Sequence, residues 1–119
     1  MAPMDIYQRI FEYTPDALFV TDETGSIVLA NAQAETMFGY ERSELIGQPV
    51  EILVPSRFAA HHAGHRMRFT SEAHSRPMGK AAELFALRRD GTEFPVDIML
   101  SPMILHGTHI VLCVVRDLP

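Results

Sequence analysis

The sequence predicts an α+β fold built on an antiparallel sheet, and three observations carry that prediction. Leu84–Ser101 reads as two strands joined at Asp90-Gly91, a dipeptide suited to a two-residue type I′ turn, in which both central residues need positive φ. Phe94, Val96, Ile98 and Leu100 alternate with positions such as Asp97 and Ser101, the period of two of a strand with one buried face. Strand-like runs gather at both ends of the chain with helical segments between them, and no βαβ alternation is present.

Each element has its own local reason. Asp5–Tyr13 carries Ile6, Ile10 and Tyr13 at helical spacing, and Tyr7 and Phe11 follow it too with Met4 just before the run. The expected helix is therefore apolar over most of its surface and needs more than one partner. Thr14-Pro15-Asp16 ends it, because the residue before proline is steered out of the α region. Ala17–Thr21 and Ile27–Ala30 read as short strands around the turn Asp22–Ser26. Asn31 is an expected N-cap for the helical run behind it. Glu41–Ile46 reads as a helical turn stopped by Gly47, and Pro49–Leu53 as another. The longest expected helix is Arg57–Thr70, capped by Ser56, with Phe58, His62, His65 and Phe69 on one face. Ser71–Lys80 reads as loop. Leu84–Leu87 is an apolar strand ending in exposed Arg88 and Arg89. Pro95 belongs where a ladder bond is missing. Thr108–Val115 is the last strand, entered through a turn at His106-Gly107.

The totals narrow the class. With 119 residues, 47% hydrophobic and 21% charged, the chain is the size and composition of one globular domain. No run approaches the roughly 20 apolar residues of a membrane span. The first residues lack the basic and apolar regions of a signal peptide. A single cysteine excludes an internal disulfide and suits a reducing compartment, so a cytoplasmic location is expected. A net charge of −5 without a basic cluster argues against direct nucleic acid contact.

Chemistry is sparse. The chain has no G-x-S-x-G, no Walker loop and no G-x-G-x-x-G, so no catalytic residue is expected. His61 and His65 are four apart on one helical face, but zinc wants three or four ligands, and His74, His106 and His109 are not spaced to complete a site. No metal site is expected.

Four blocks, PDALFVTDETGSIVLAN (Pro15–Asn31), AETMFGYERSELIGQPVEILVP (Ala34–Pro55), RRDGTEFPVDIMLSP (Arg88–Pro102) and VVRD (Val114–Asp117), together resemble the PAS domain family over nearly the whole chain. The resemblance implies a PAS fold: a five-stranded antiparallel sheet with short helices packed on one face around a small pocket. It divides the chain into an N-terminal amphipathic helix, residues 1–14, and a sensory core, residues 15–119. It also implies a module of a bacterial signal-transduction protein, sensing or dimerising. The partners implied are a small-molecule ligand and a fused output beyond Pro119, whether histidine kinase of a two-component system, cyclase or DNA-binding transcription regulator. Asn31 matches the family's cap residue, and Asp117 the acidic residue where the core gives way to a linker helix.

The expected pocket lies between Arg57–Thr70 and the last three strands, lined by His62, His65 and Phe69, with Met78, Leu84, Ala86, Val96, Ile98 and Cys113. PAS oxygen sensors hold haem iron through a histidine on this helix. His62, 28 residues before Asp90, stands at a similar place, and Arg68 falls where a propionate is contacted. The arginine those sensors carry at the start of the following strand matches Ala82, and no cofactor is therefore expected. The reactive cysteine of flavin light sensors has no counterpart in Ala32–Thr70. A ligand-free alternative is a dimerisation module with a filled core. In either reading the N-terminal helix is expected to build a homodimer.

Overall fold

Helix α1 spans Pro3–Tyr13, strand β1 Ala17–Thr21 and strand β2 Ile27–Ala30. Helices α2 (Ala32–Phe38) and α3 (Arg42–Leu45) and a 3₁₀ turn (Val50–Leu53) follow, then strands β3 (Arg76–Met78), β4 (Leu84–Leu87), β5 (Glu93–Leu105) and β6 (Thr108–Asp117). The computed structural model describes residues 3–55, 76–78 and 84–118, of which 3–5 and 76–78 are described as backbone alone. The helix expected over Arg57–Thr70 lies outside the described residues.

Every strand pair is antiparallel, and the sheet runs β2-β1-β6-β5 with β3 and β4 on the far side of β5. β4 pairs with Glu93–Val96 and β3 with Ile98–Leu100, so the two share one lane end to end. The sheet is thus five strands wide, as expected of a PAS fold. β3 falls within Ser71–Lys80, where the sequence predicts loop. Pro77 there faces Met99 in an outer lane, where a missing N–H is tolerated.

The first hairpin differs in turn type from what the sequence suggests. Between β4 and β5 the Gly91 amide donates to the Arg88 carbonyl, and the Arg88 amide donates to the Thr92 carbonyl. Only Gly91 has positive φ there, at 92°. This is a longer loop with one left-handed residue, not the two-residue type I′ turn expected at Asp90-Gly91. Asp90 instead accepts from the Thr92 amide and hydroxyl at 3.0 and 2.6 Å, the local bonding that draws aspartate into turns. Those bonds hold its carboxyl below the usual aspartate range. The two-residue turn sits at His106-Gly107, where φ is 51° and 78° and Leu105 faces Thr108. Pro95 lies inside β5 opposite Phe85. Its carbonyl accepts from Leu118, so its nitrogen points at the end of β6, where the ladder has run out.

One face of the sheet carries the core. Phe38 of α2 sits edge-on to Phe19 of β1 and Phe94 of β5, with ring centroids 5.4 and 5.3 Å away. Ala34, Met37, Leu45, Val50 and Leu53 close over them. The C-terminal end of α2 is finished from the β4–β5 loop. Arg88 Nε donates to the Met37 carbonyl and the Arg89 amide to that of Phe38, groups that a helix end leaves without partners. Arg88 also lies over the Phe94 ring at 4.0 Å. It is half-buried rather than exposed as its position at a strand end suggests. Arg89 is exposed.

Candidate functional site

β6 presents Val111, Cys113 and Val115 to the core, alternating with Ile110, Leu112 and Val114 on the other face. β5 presents Phe94, Val96, Ile98 and Leu100 to the same interior. Beneath these strands is a cavity of about 50 Å³. Its described lining is Phe19, Phe38, Val50, Leu53, Val54, Phe85, Ala86, Ile98, Leu100, Cys113 and Val115, and every one of those residues is apolar.

Of the residues expected to line a pocket, Ala86, Ile98 and Cys113 meet at this cavity. Val96 is buried in the core and Leu84 is half-buried against it, and neither touches the space. Met78 lies in β3 with its side chain outside the described residues. His62, His65 and Phe69 lie outside them altogether, as do His61, His74, Arg68 and Ala82. Sequence reasoning missed Val115 and Leu100, yet their signal was present. Val115 is two residues beyond Cys113 and Leu100 two beyond Ile98, so whichever face holds one holds the other. Phe19, between Ala17 and Thr21, carries the same signal on β1. Phe38, Val50 and Leu53 had no such mark, because short helices fix their faces only through tertiary packing.

Polar groups tie the cavity walls to both chain ends. Asn31, fully buried, accepts from the Leu18 and Ala34 amides at 2.9 and 3.0 Å. Its amide nitrogen donates to the Phe11 and Asp16 carbonyls at 2.9 and 3.0 Å. One side chain thereby caps α2, holds β1 and fixes the end of α1, using its full bonding capacity. At the surface, Arg42 donates to both oxygens of Glu12 at 2.6 and 2.7 Å and to Glu35 Oε1 at 2.7 Å. These bonds hold the Glu12 carboxyl below the usual glutamate range, helped by the Ala32 amide and opposed by burial. They also raise the Arg42 guanidinium above its ordinary value. At the exit, Arg116 makes a two-pronged contact with Asp16 at 3.2 and 3.1 Å. The last strand is therefore bound to the segment that follows α1. Among the described residues, no three His, Cys, Asp or Glu side chains gather as metal ligands.

The model of the family described as PAS fold matches residues 5–118. The chain belongs to the PAS family. It is 37% identical over 113 residues to Sensor protein FixL of Bradyrhizobium diazoefficiens, covering 93% of this chain and 22% of that protein. It is 27% identical over 96 residues to Oxygen sensor protein DosP of Escherichia coli, covering 81% of this chain and 12% of that protein. The crystal structure of a PAS domain from Colwellia psychrerythraea superposes with a TM-score of 0.85 at 25% identity, covering 98% of each chain. The chain spans less than a quarter of the length of the curated relatives it matches. As a PAS domain it is a sensory module of the kind found in bacterial signalling proteins. No described helix is long and apolar enough to cross a membrane.

Proposed function

We propose that this PAS domain binds a small, apolar molecule in the cavity beneath β5 and β6 and relays a change in β6 to a fused output. One observation carries the reading: Cys113 and Val115 line the cavity, and the next residue of the same strand, Arg116, grips Asp16 beside α1. A ligand that alters the twist of β6 acts at once on the chain's exit and on the N-terminal helix. It does so only if it binds one strand arrangement better than the other. The output beyond Pro119 is a histidine kinase, a cyclase or a DNA-binding regulator, and the assembly is a cytoplasmic homodimer held through α1. Catalysis belongs to the output.

The cavity bounds the ligand. About 50 Å³ admits a few heavy atoms, far below the roughly 300–1,000 Å³ of sites for drug-sized ligands and cofactors. The haem reading rests on the relative named an oxygen sensor and on the position of His62.

Native mass spectrometry of the freshly purified domain, beside Ala86→Phe, tests the proposal. Wild type is expected to retain a small molecule that the cavity-filling variant loses. Identical ligand-free masses for both, with no shift in melting temperature under xenon or small apolar compounds, would leave the dimerisation module with a filled core. A Soret band that disappears in His62→Ala would replace the proposal with a haem gas sensor.

A further inference from the structure

A groove of about 550 Å³ runs between α1, β2 and the end of α3, and it shares no described residue with the cavity beneath β5 and β6. Its size falls within the roughly 300–1,000 Å³ of small-molecule sites. One wall is built by helical spacing. Tyr7 and Phe11 stand one turn apart on α1, and Gln8 and Glu12 form a second row beside them. Ile6, Ile10 and Tyr13 lie on the other side of the helix and do not line the groove. The floor comes from a bulge in β2. Val20 faces Leu29 but Thr21 faces Ile27, so the register passes over Val28. That irregularity leaves Val28 and Leu29 both exposed, and both line the groove. Arg42 and Ile46 close the far wall.

We infer that this groove binds a small organic cation, its apolar body against Tyr7, Phe11 and Val28 and its ammonium group at Glu12. Charge complementarity selects the sign. Arg42, the one cation among the described lining residues, is paired with both Glu12 and Glu35. Two carboxylates against one guanidinium leave this end of the groove with a net negative charge. Four of the five N–H groups of Arg42 already go to those carboxylates. Little is left there to hold an anion. Glu12 accepts twice from Arg42 and once from the Ala32 amide, which fills three of the roughly four lone-pair sites of a carboxylate. One site remains for an ammonium N–H. The rings of Tyr7 and Phe11 favour the same charge, because the face of an aromatic ring is negative. Arg9, exposed on α1, does not line the groove. A neutral molecule of the same shape gains only the apolar contacts.

The test titrates three molecules with the same ring into the isotope-labelled domain and follows the backbone amides by NMR. Phenethylammonium is the probe, and phenethyl alcohol and phenylpropionate are its neutral and anionic counterparts. Phenethylammonium is expected to shift the amides of Gln8, Phe11, Val28 and Leu29 saturably. The alcohol is expected to bind at least about tenfold more weakly, and phenylpropionate more weakly still. Added salt should weaken the cation and leave the alcohol unchanged. Glu12→Gln should weaken the cation about tenfold without changing the alcohol. If that variant loosens α1 and weakens both, Val28→Lys, at an exposed position outside the helix, makes the same comparison. Ala86→Phe, which fills the core cavity, should leave the affinity for phenethylammonium as it was. Equal affinity for the ammonium and the alcohol would overturn the proposal, as would a preference for phenylpropionate or the absence of saturable shifts. Shifts that gather on Cys113 and Val115 and vanish in Ala86→Phe would place the molecule in the core, overturning the groove site and leaving the core-cavity reading intact.

Discussion

Asn31 and Arg42 both fasten α1 to the body of the domain, Asn31 from the interior and Arg42 from the surface. Asn31 is neutral, sealed from water, and bonded to four backbone groups on β1, α2, α1 and the segment after α1. Arg42 is charged, 39% exposed, and bonded mainly to two carboxylates that are about a third exposed themselves. The distances favour Arg42, whose bonds to Glu12 are 2.6 and 2.7 Å against 2.9 to 3.0 Å for Asn31. Strength nonetheless lies with Asn31. If Arg42 is removed, water rehydrates Glu12 and Glu35, and an exposed ion pair is worth only about 0–1 kcal/mol. If Asn31 is removed, four backbone groups lose their partner where water enters with difficulty. What decides the worth of a polar contact is what replaces it, not how short it is.

The largest expected effect follows directly. Asn31→Ala removes an N-cap, worth about 0.5–2 kcal/mol, and orphans the Leu18 amide and the Phe11 and Asp16 carbonyls besides, at about 1–3 kcal/mol for a buried unsatisfied group. Because those three bonds are only part-buried, a combined loss at the low end of that range is expected, about 4 kcal/mol, or roughly 10–15 °C in a domain of this size. Thermal melts check it. A variant melting within about 2 °C of wild type would mean that water replaces the amide freely, and would place Asn31 in the same class as Arg42.

The two anchors were not equally legible in the sequence. Asn31 could be marked as a cap because it directly precedes a helical run, which is local information. Its grip on Phe11 and Asp16 could not, since those bonds span twenty and fifteen residues. Arg42 carried no signal at all, for Glu12 lies thirty residues away. The same division runs through the fold. β1 and β2 were readable to the residue from alternation and the intervening turn. β5 continues past its expected end at Ser101 to Leu105 only because β6 accompanies it. Asp90-Gly91 was read correctly as a turn but assigned the wrong type, since dipeptide preference says nothing about loop length. At the cavity, period-two reasoning reached Ile98, while Phe38 and Val50 arrive from helices whose packing no local pattern fixes.

A middle-sized effect sharpens the comparison by salt. Arg42→Ala is expected to cost about 1 kcal/mol at low ionic strength, and less in 1 M salt, where the screening length is about 3 Å. The deficit of Asn31→Ala is expected to be the same in both, because no charge is involved. Hydrogen exchange should show α1 amides opening faster in the Arg42 variant while β1 amides keep their protection. Protection lost equally in α1 and β1 would mean that the surface fork supports the core as the buried amide does.

The smallest effect separates the anchors by pH. The Glu12 carboxyl is held below its ordinary value, chiefly by its bond from Arg42. A depressed folded-state value means that the unfolded chain takes up a proton first on acidification. The contribution of Glu12 is therefore complete above about pH 4.3, the ordinary glutamate value, and is lost as pH falls through the lower folded value. Asp22 and Asp90, also held below their ordinary range by bonds from Thr24 and Thr92, lose stability in the same direction. A comparison of wild type with Glu12→Gln cancels those two. The variant is expected to be less stable at pH 7 by under about 1 kcal/mol, since the carboxylate is partly open to solvent. The gap should close as pH drops below about 4.3. Asn31→Ala should show a constant gap across that range. A Glu12→Gln deficit that persists undiminished at pH 3 would show that its shape and hydrogen bonding, rather than its charge, hold α1, and the contrast between a charged and a neutral anchor would collapse.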